Sequence, residues 1–207
     1  MGNRVQSLLG YALLGLIRLS QPCSGYDLRR WFSGKPMAAF SDSPGSIYPA
    51  LKKLERAQLV VCALEETSQV RRRKLYRLGT KGEKALERWL AQPVRPQEVV
   101  RGMPELFLRF SFLEGFLGPK ACALFLHSLA DALEQHISML KEYLVSHQSE
   151  LSRSARLALQ SGIMSYECHA AWTKLAMKEY PTLTKKPKRP RHADSAGPTK
   201  RNDGNPF

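Results

Sequence analysis

Ser43-Pro44-Gly45-Ser46-Ile47-Tyr48-Pro49-Ala50-Leu51-Lys52-Lys53-Leu54-Glu55 reads as the start and body of one short amphipathic helix. Ser43 suits the N-cap and Pro44 the first helical position, where a missing amide proton costs nothing. Ile47, Ala50, Leu51 and Leu54 then recur at helical spacing and form a buried stripe, with Ser46, Lys52, Lys53 and Arg56 on the opposite face. Pro49 conflicts with this pattern, because an interior proline removes a helix hydrogen bond at a cost of about 3 kcal/mol. A distorted first turn is therefore expected.

Working outward, residues from about Arg4 to Arg18 place Leu8, Leu9, Ala12, Leu13, Leu16 and Ile17 at helical spacing. Val5 and Leu14 widen that stripe, which predicts burial against more than one neighbour. Pro22 breaks the chain, and Ser24 with Asp27 three residues on is a capping-box-like start to a second helix whose buried face is Leu28, Trp31 and Phe32. Downstream, Val60–Glu65 and Arg71–Leu78 are β-prone runs joined by a connection short enough for a hairpin. Thr80 with Glu83 reads as a full capping box opening a fourth helix with Leu86, Trp89 and Leu90. Three helices, a two-stranded wing and a closing helix make a winged helix-turn-helix over residues 1–93, and Pro93 and Pro96 mark its boundary.

The remainder reads as helical, so the fold class is mostly α with a small β-hairpin wing. A short helix is expected from Met103 to Gly115 and a long one from Pro119 to Ser149, with Phe125, Leu129, Leu133, His136, Leu140 and Leu144 at coiled-coil-like steps. A last helix, Leu151 to Lys178, carries Leu159, Ile163, Tyr166, Ala170 and Leu175. Such a helical hairpin leaves an apolar stripe for a second copy of the chain, so residues 94–180 are read as a dimerisation domain. Residues 181–207 are basic and proline-rich, with few large apolar side chains, and are expected to be a disordered tail.

The net charge of +14 is unevenly placed: 16 Lys+Arg against 7 Asp+Glu in residues 1–93, 9 against 9 in 94–180, and 7 against 2 in 181–207. A polyanion is thus expected at the winged domain and the tail, not in the middle. No apolar run reaches the roughly 18–20 residues that span a bilayer, and no signal-peptide pattern follows Ile17, which points to a cytoplasmic, nucleoid-associated protein with no membrane partner. Cys23, Cys62, Cys122 and Cys168 are widely spaced and the five histidines scattered, so neither a metal site nor a catalytic constellation is expected, nor any cofactor.

Groove reading needs a helix for the major groove, cations for phosphate and a clamp on the neighbouring groove. The third helix presents Ser46, Tyr48 and Lys52, with the small residues Ser43 and Gly45 allowing close approach of the backbone. The wing carries Arg71, Arg72, Arg73 and Lys74 in succession, and Arg77 beyond them. Two alternatives stand beside this reading: Tyr48 as a core aromatic, and the cation run as a solvated edge that discourages aggregation.

These residues resemble the PadR family of transcriptional regulators. The resemblance rests on Gly25-Tyr26-Asp27-Leu28, on Ser43 through Glu55, on Arg73-Lys74-Leu75-Tyr76-Arg77-Leu78, and on Thr80-Lys81-Gly82-Glu83. Softer matches at Glu105 to Phe116, Gly118-Pro119-Lys120-Ala121 and Gly162-Ile163 through Trp172 look like the larger subfamily, whose helical domain is shared with virulence-gene activators. The resemblance implies a bacterial homodimer, joined through the C-terminal helices and the first helix, that binds double-stranded DNA. It also implies a repressor at an inverted-repeat operator, released in some members by a phenolic or other hydrophobic small molecule.

The set assigned to DNA is Tyr26, Ser43, Gly45, Ser46, Tyr48, Pro49, Lys52, Lys53, Arg71, Arg72, Arg73 and Lys74; the set assigned to an effector is Phe107, Phe110, Phe112 and Trp172, with packing as the alternative. A winged-helix module for protein–protein contact, its basic face meeting an acidic partner, is the competing function. Replacing Arg71, Arg72 and Arg73 by Ala is expected to weaken binding to all duplexes and to flatten the dependence of affinity on salt, measured by titration across ionic strengths.

Overall fold

The computed structural model describes residues 6–32, 44–66 and 72–181. Its elements run α1 (Leu8–Ser20), β1 (Cys23–Ser24), α2 (Gly25–Phe32), a 3₁₀ turn (Pro44–Ser46), α3 (Ile47–Arg56), β2 (Val60–Glu66), β3 (Arg72–Leu78), α4 (Thr80–Leu90), α5 (Pro96–Arg101), α6 (Met103–Ser146) and α7 (Arg153–Glu179). The winged helix-turn-helix expected from the sequence is present. The segments expected at the extreme N-terminus and in the tail lie outside the described residues.

Helix α1 is the hub. Ser7 caps it by accepting the Gly10 amide at 3.2 Å, and every residue from Gly10 to Ile17 is buried. That all-round burial follows from neighbours on several sides: α2, α3, α4, β3 and α6 all pack against it. The wide apolar stripe has found the several partners it required.

The sheet has one strand more than the sequence suggested. Cys23 and Ser24 pair antiparallel with Tyr76 and Leu75 of β3, so the order is β1-β3-β2 with the hairpin register running from Val60 opposite Leu78 to Glu66 opposite Arg72. Gln21 reinforces this junction, its Oε1 accepting the Leu78 amide at 2.8 Å.

The start of α4 corrects the expected capping box. The N-cap is Gly79, with no side-chain cap bond, instead of Thr80, and Glu83 faces Arg18 at 3.8 Å. The cause is a close approach: a Cβ at Gly82 would sit 1.9 Å from the carbonyl oxygen of Leu59. The position of α4 is therefore set by how its first turn docks on the Leu59 backbone between α3 and β2, ahead of any local capping preference.

Pro93 and Pro96 do more than punctuate. Pro96 begins α5, where its missing amide proton is no loss. Helix α6 then bends at Gly118, whose φ of 76° and ψ of 175° suit glycine almost alone. This is the break expected between Gly115 and Pro119. Beyond it α6 and α7 form a hairpin, with Lys141 on Glu167 at 2.6 Å, Lys174 on Glu134 at 3.3 Å and His136 edge-on to Tyr166.

The winged part joins α6 through buried contacts. Trp89 of α4 stacks on Tyr11 of α1 with centroids 4.4 Å apart, and its Nε1 donates to Glu105 Oε1 at 3.1 Å. Arg109, wholly buried, donates to the Gln92 carbonyl oxygen, pairs with Glu98 at 3.5 Å and lies over the Phe125 ring. Burial lowers its pKa, and the carboxylates of Glu98 and Glu105 oppose that shift. Phe112 covers Gly15 so closely that a Cβ there would meet its ring at 2.5 Å. One hydrophobic cluster consequently runs from α1 to the second half of α6.

Gly82→Ala tests the α4 docking. The added methyl meets backbone that cannot yield cheaply, so a loss of about 1–3 kcal/mol is expected in urea unfolding. Wild-type stability would place α4 differently.

Candidate nucleic-acid interface

Helix α3 shows how the opening string resolves its own conflict. Pro44–Ser46 forms a 3₁₀ turn and the α-helix begins only at Ile47, with Ser46 as N-cap. Pro49 is therefore the third helical residue, and the first amides of a helix have no intrahelical acceptor to lose. The expected distortion is this tightened turn. Ile47, Leu51 and Leu54 are buried. Gly45, Tyr48, Pro49, Lys52, Lys53 and Arg56 are exposed, and Ser46 is half-buried. Ser43 lies outside the described residues.

Helix α2 supports α3 from behind. Ser24 and Asp27 form the expected reciprocal cap: the Ser24 amide donates to Asp27 Oδ2 at 2.9 Å and the Asp27 amide to Ser24 Oγ at 3.2 Å. The bonds from Ser24, hydroxyl first and then amide, hold the Asp27 carboxyl below its ordinary range, and Arg73 lowers it further. Gly25 lies beneath the Tyr48 ring, where a Cβ would come within 2.7 Å of it. Tyr48 is thus seated on α2 yet 50% exposed, which places it outside the core. Tyr26, the next residue of α2, is exposed, with the Arg29 guanidinium 5.6 Å from its ring centroid. Trp31, expected on the buried face, is instead 46% exposed, while Leu28 and Phe32 are buried.

The wing divides the cation run that looked uniform in sequence. Arg73 Nη2 donates to Asp27 Oδ2 at 2.7 Å and to Ser24 Oγ at 2.8 Å. Lys74 lies 3.9 Å from Glu55 at the end of α3. Arg77 is exposed further along β3. Arg71 and the side chain of Arg72 lie outside the described residues. Two of the four cations assigned to phosphate are therefore engaged by the protein's own carboxylates. Sequence reasoning missed this because Arg73 and Asp27 are 46 residues apart, and the only local signal was the Ser24–Asp27 spacing.

Residues 13–88, from within α1 to within α4, match the model of the transcriptional regulator PadR-like family. Over that segment the chain is similar to the family. The negative transcriptional regulator PadR of Bacillus subtilis is 26% identical over 154 residues, which is 74% of this chain and 81% of that protein. Among solved structures, Bacillus subtilis PadR in complex with operator DNA is 21% identical, covering 84% of this chain and 98% of that one at a TM-score of 0.40. A PadR-like transcriptional regulator from Bacillus cereus is 21% identical, covering 83% and 97% at a TM-score of 0.36. Superpositions this loose carry no residue correspondences.

The family match stops before α5, so the helical half is described on its own geometry. Phe107 and Phe110 both meet Trp172 of α7 edge-on, at 5.0 and 5.5 Å, and Phe110 also faces Phe125 and Tyr180. Phe112 is not part of that cluster: it is buried against α1 and Phe116. Two surface clefts lie elsewhere, one beside Glu134, Ser138 and Lys174, the other beside Arg18, Glu83 and Phe116. Among the described residues no group of His, Cys, Asp and Glu is arranged to hold a metal ion, and no helix is long and apolar enough to cross a membrane.

The depressed Asp27 carboxyl has a pH signature. Its native pKa lies below the unfolded value of about 3.9, so its contribution is complete above that pH and is lost as pH falls through the native value. Asp27→Asn is therefore expected to be less stable than wild type at neutral pH, with the gap closing in strong acid. Urea titrations at several pH values measure it, and a pH-independent gap would contradict the assignment.

Proposed function

We propose that this PadR-like regulator is a homodimeric, sequence-specific DNA-binding repressor acting at an inverted-repeat operator. The observation that carries the reading is the exposed face of α3: Lys52 and Lys53 are exposed, and Tyr48 is half exposed on its seat over Gly25, on a helix that buries Ile47, Leu51 and Leu54. Small residues at Gly45 and Ser46 precede it, and Tyr26 is exposed on the neighbouring helix α2. In this reading Tyr48 and Lys52, helped by Ser46, approach base edges or phosphates, while Ser43, Pro49 and Lys53 shape and flank the contact. Arg71 and Arg72 hold the adjacent backbone. The name of the Bacillus subtilis relative, a negative regulator, supports repression.

Dimerisation is supported by what α6 and α7 leave uncovered. Met139, Val145, Leu157, Met164 and Leu175 are all more than half exposed on the helical hairpin, a surface that a second copy would bury. Helix α1 has little left for this role, since Gly10–Ile17 is spent within the chain and Leu19 is exposed only at its end. Residues 1–93 are the reading domain, 94–180 the dimerisation domain and 181–207 an appended basic tail. A hydrophobic or phenolic effector would act through Phe107, Phe110 and Trp172, which bridge α6 and α7. Phe112 takes no part, and the protein works at the nucleoid without catalysis.

Fluorescence anisotropy against the DNA upstream of its own gene, across a range of salt, tests the reading. Arg71→Ala and Arg72→Ala are each expected to reduce the log–log salt slope by about 0.9. Lys52→Ala is expected to cost about 1–3 kcal/mol if it reads a base edge. Unchanged slopes would remove the wing from the interface. Failure of wild type to bind at low salt would favour the module that contacts an acidic protein.

A further inference from the structure

We propose that Arg73 is a positioning residue: with Asp27 and Ser24 it locks the first residues of β3 in the wing to the start of α2, and it does not contact phosphate. The inference rests on the DNA-binding reading above and reassigns one of its cations. Arg73 stands opposite Glu65, one residue pair from Glu66 and Arg72 at the described end of the hairpin. From there its Nη2 reaches back to Asp27 Oδ2 at 2.7 Å and Ser24 Oγ at 2.8 Å. The hydroxyl is fully used: it donates to Asp27 Oδ2 and accepts from the Asp27 amide and from Arg73. Ser24 is itself buried and paired with Leu75 of β3, so the acceptors of the guanidinium are fixed to the sheet.

The same carboxylate thus serves two elements. It caps α2, which seats Tyr48 through Gly25, and it anchors the strand that leads into the wing. Moving the Arg73 Nη2 onto a phosphate would cost both of these bonds and leave Asp27 uncompensated beside a polyanion, which opposes binding. Arg73 contributes more by fixing the angle between wing and α3 than by adding one more backbone contact.

Two measurements on the full chain decide this, using Asp27→Asn, Arg73→Ala and the double variant. Asparagine still offers an oxygen to the Ser24 amide, so the cap survives while the charge that holds Arg73 is lost. In hydrogen exchange without DNA, all three are expected to speed exchange in residues 60–66 and 72–78 to the same extent. Unchanged protection of α6 and α7 certifies that the variants fold, and wild-type exchange rates in Arg73→Ala would overturn the lock. In DNA titrations at fixed salt, each single variant is expected to bind about fivefold more weakly, and the double variant no more weakly than either. Asp27→Asn removes a negative charge, so a phosphate-contacting Arg73 predicts equal or tighter binding; that result would overturn the proposal. If wild type binds no duplex, the DNA-binding reading fails, while hydrogen exchange still decides the lock.

Discussion

The indole of Trp89 lies flat on Tyr11 and donates to Glu105, so one side chain ties α4, α1 and α6 together. Around it the chain takes two ionisable groups out of water: Glu105 is 8% exposed and Arg109 fully buried. Removing one partner from such a buried network typically costs about 3–5 kcal/mol, because the other charge is left without compensation. The winged half and the long helices consequently share a core. A displacement of α6 has to be transmitted to α4 and α1 or has to break that network.

The wing is held by weaker means. Arg73 and Asp27 are each about two-fifths exposed, and an exposed pair contributes at most about 1 kcal/mol. The contrast in magnitude predicts where the molecule is stiff and where it adjusts. The junction at Trp89 fixes α4 and α1 relative to α6, while the first residues of β3 are held to α2 by an exposed pair that yields more readily. The winged half is basic and the helical half neutral, so the two present different electrostatic surfaces.

Most of the architecture was legible because its signals are local. The cap at Ser24, the stripe of Ile47, Leu51 and Leu54, and the Gly118–Pro119 break all sit within a few residues of what they determine. The misreadings share the opposite cause. Thr80 and Glu83 carry a capping pattern, yet the carbonyl of Leu59, 23 residues before Gly82, dictates how α4 docks. Strand β1 is two residues long and exists only because β3 lies beside it. Four cations in a row look equivalent until the fold brings Asp27 to Arg73 and Glu55 to Lys74. Phe112 lies five residues from Phe107 and two from Phe110, which turns it to another face of the helix, where it packs on the bare backbone of Gly15 in α1.

Hydroxyl-radical footprinting on the DNA upstream of the protein's own gene tests the central claim most directly. Two copies of α3 presented by a symmetric dimer predict two protected patches on one face of the duplex, centred about one helical turn (~34 Å) apart. The flanking backbone should be protected where the wings reach it. A single patch, or no protection where the protein is otherwise saturating, would contradict a dimeric groove reader built on α3.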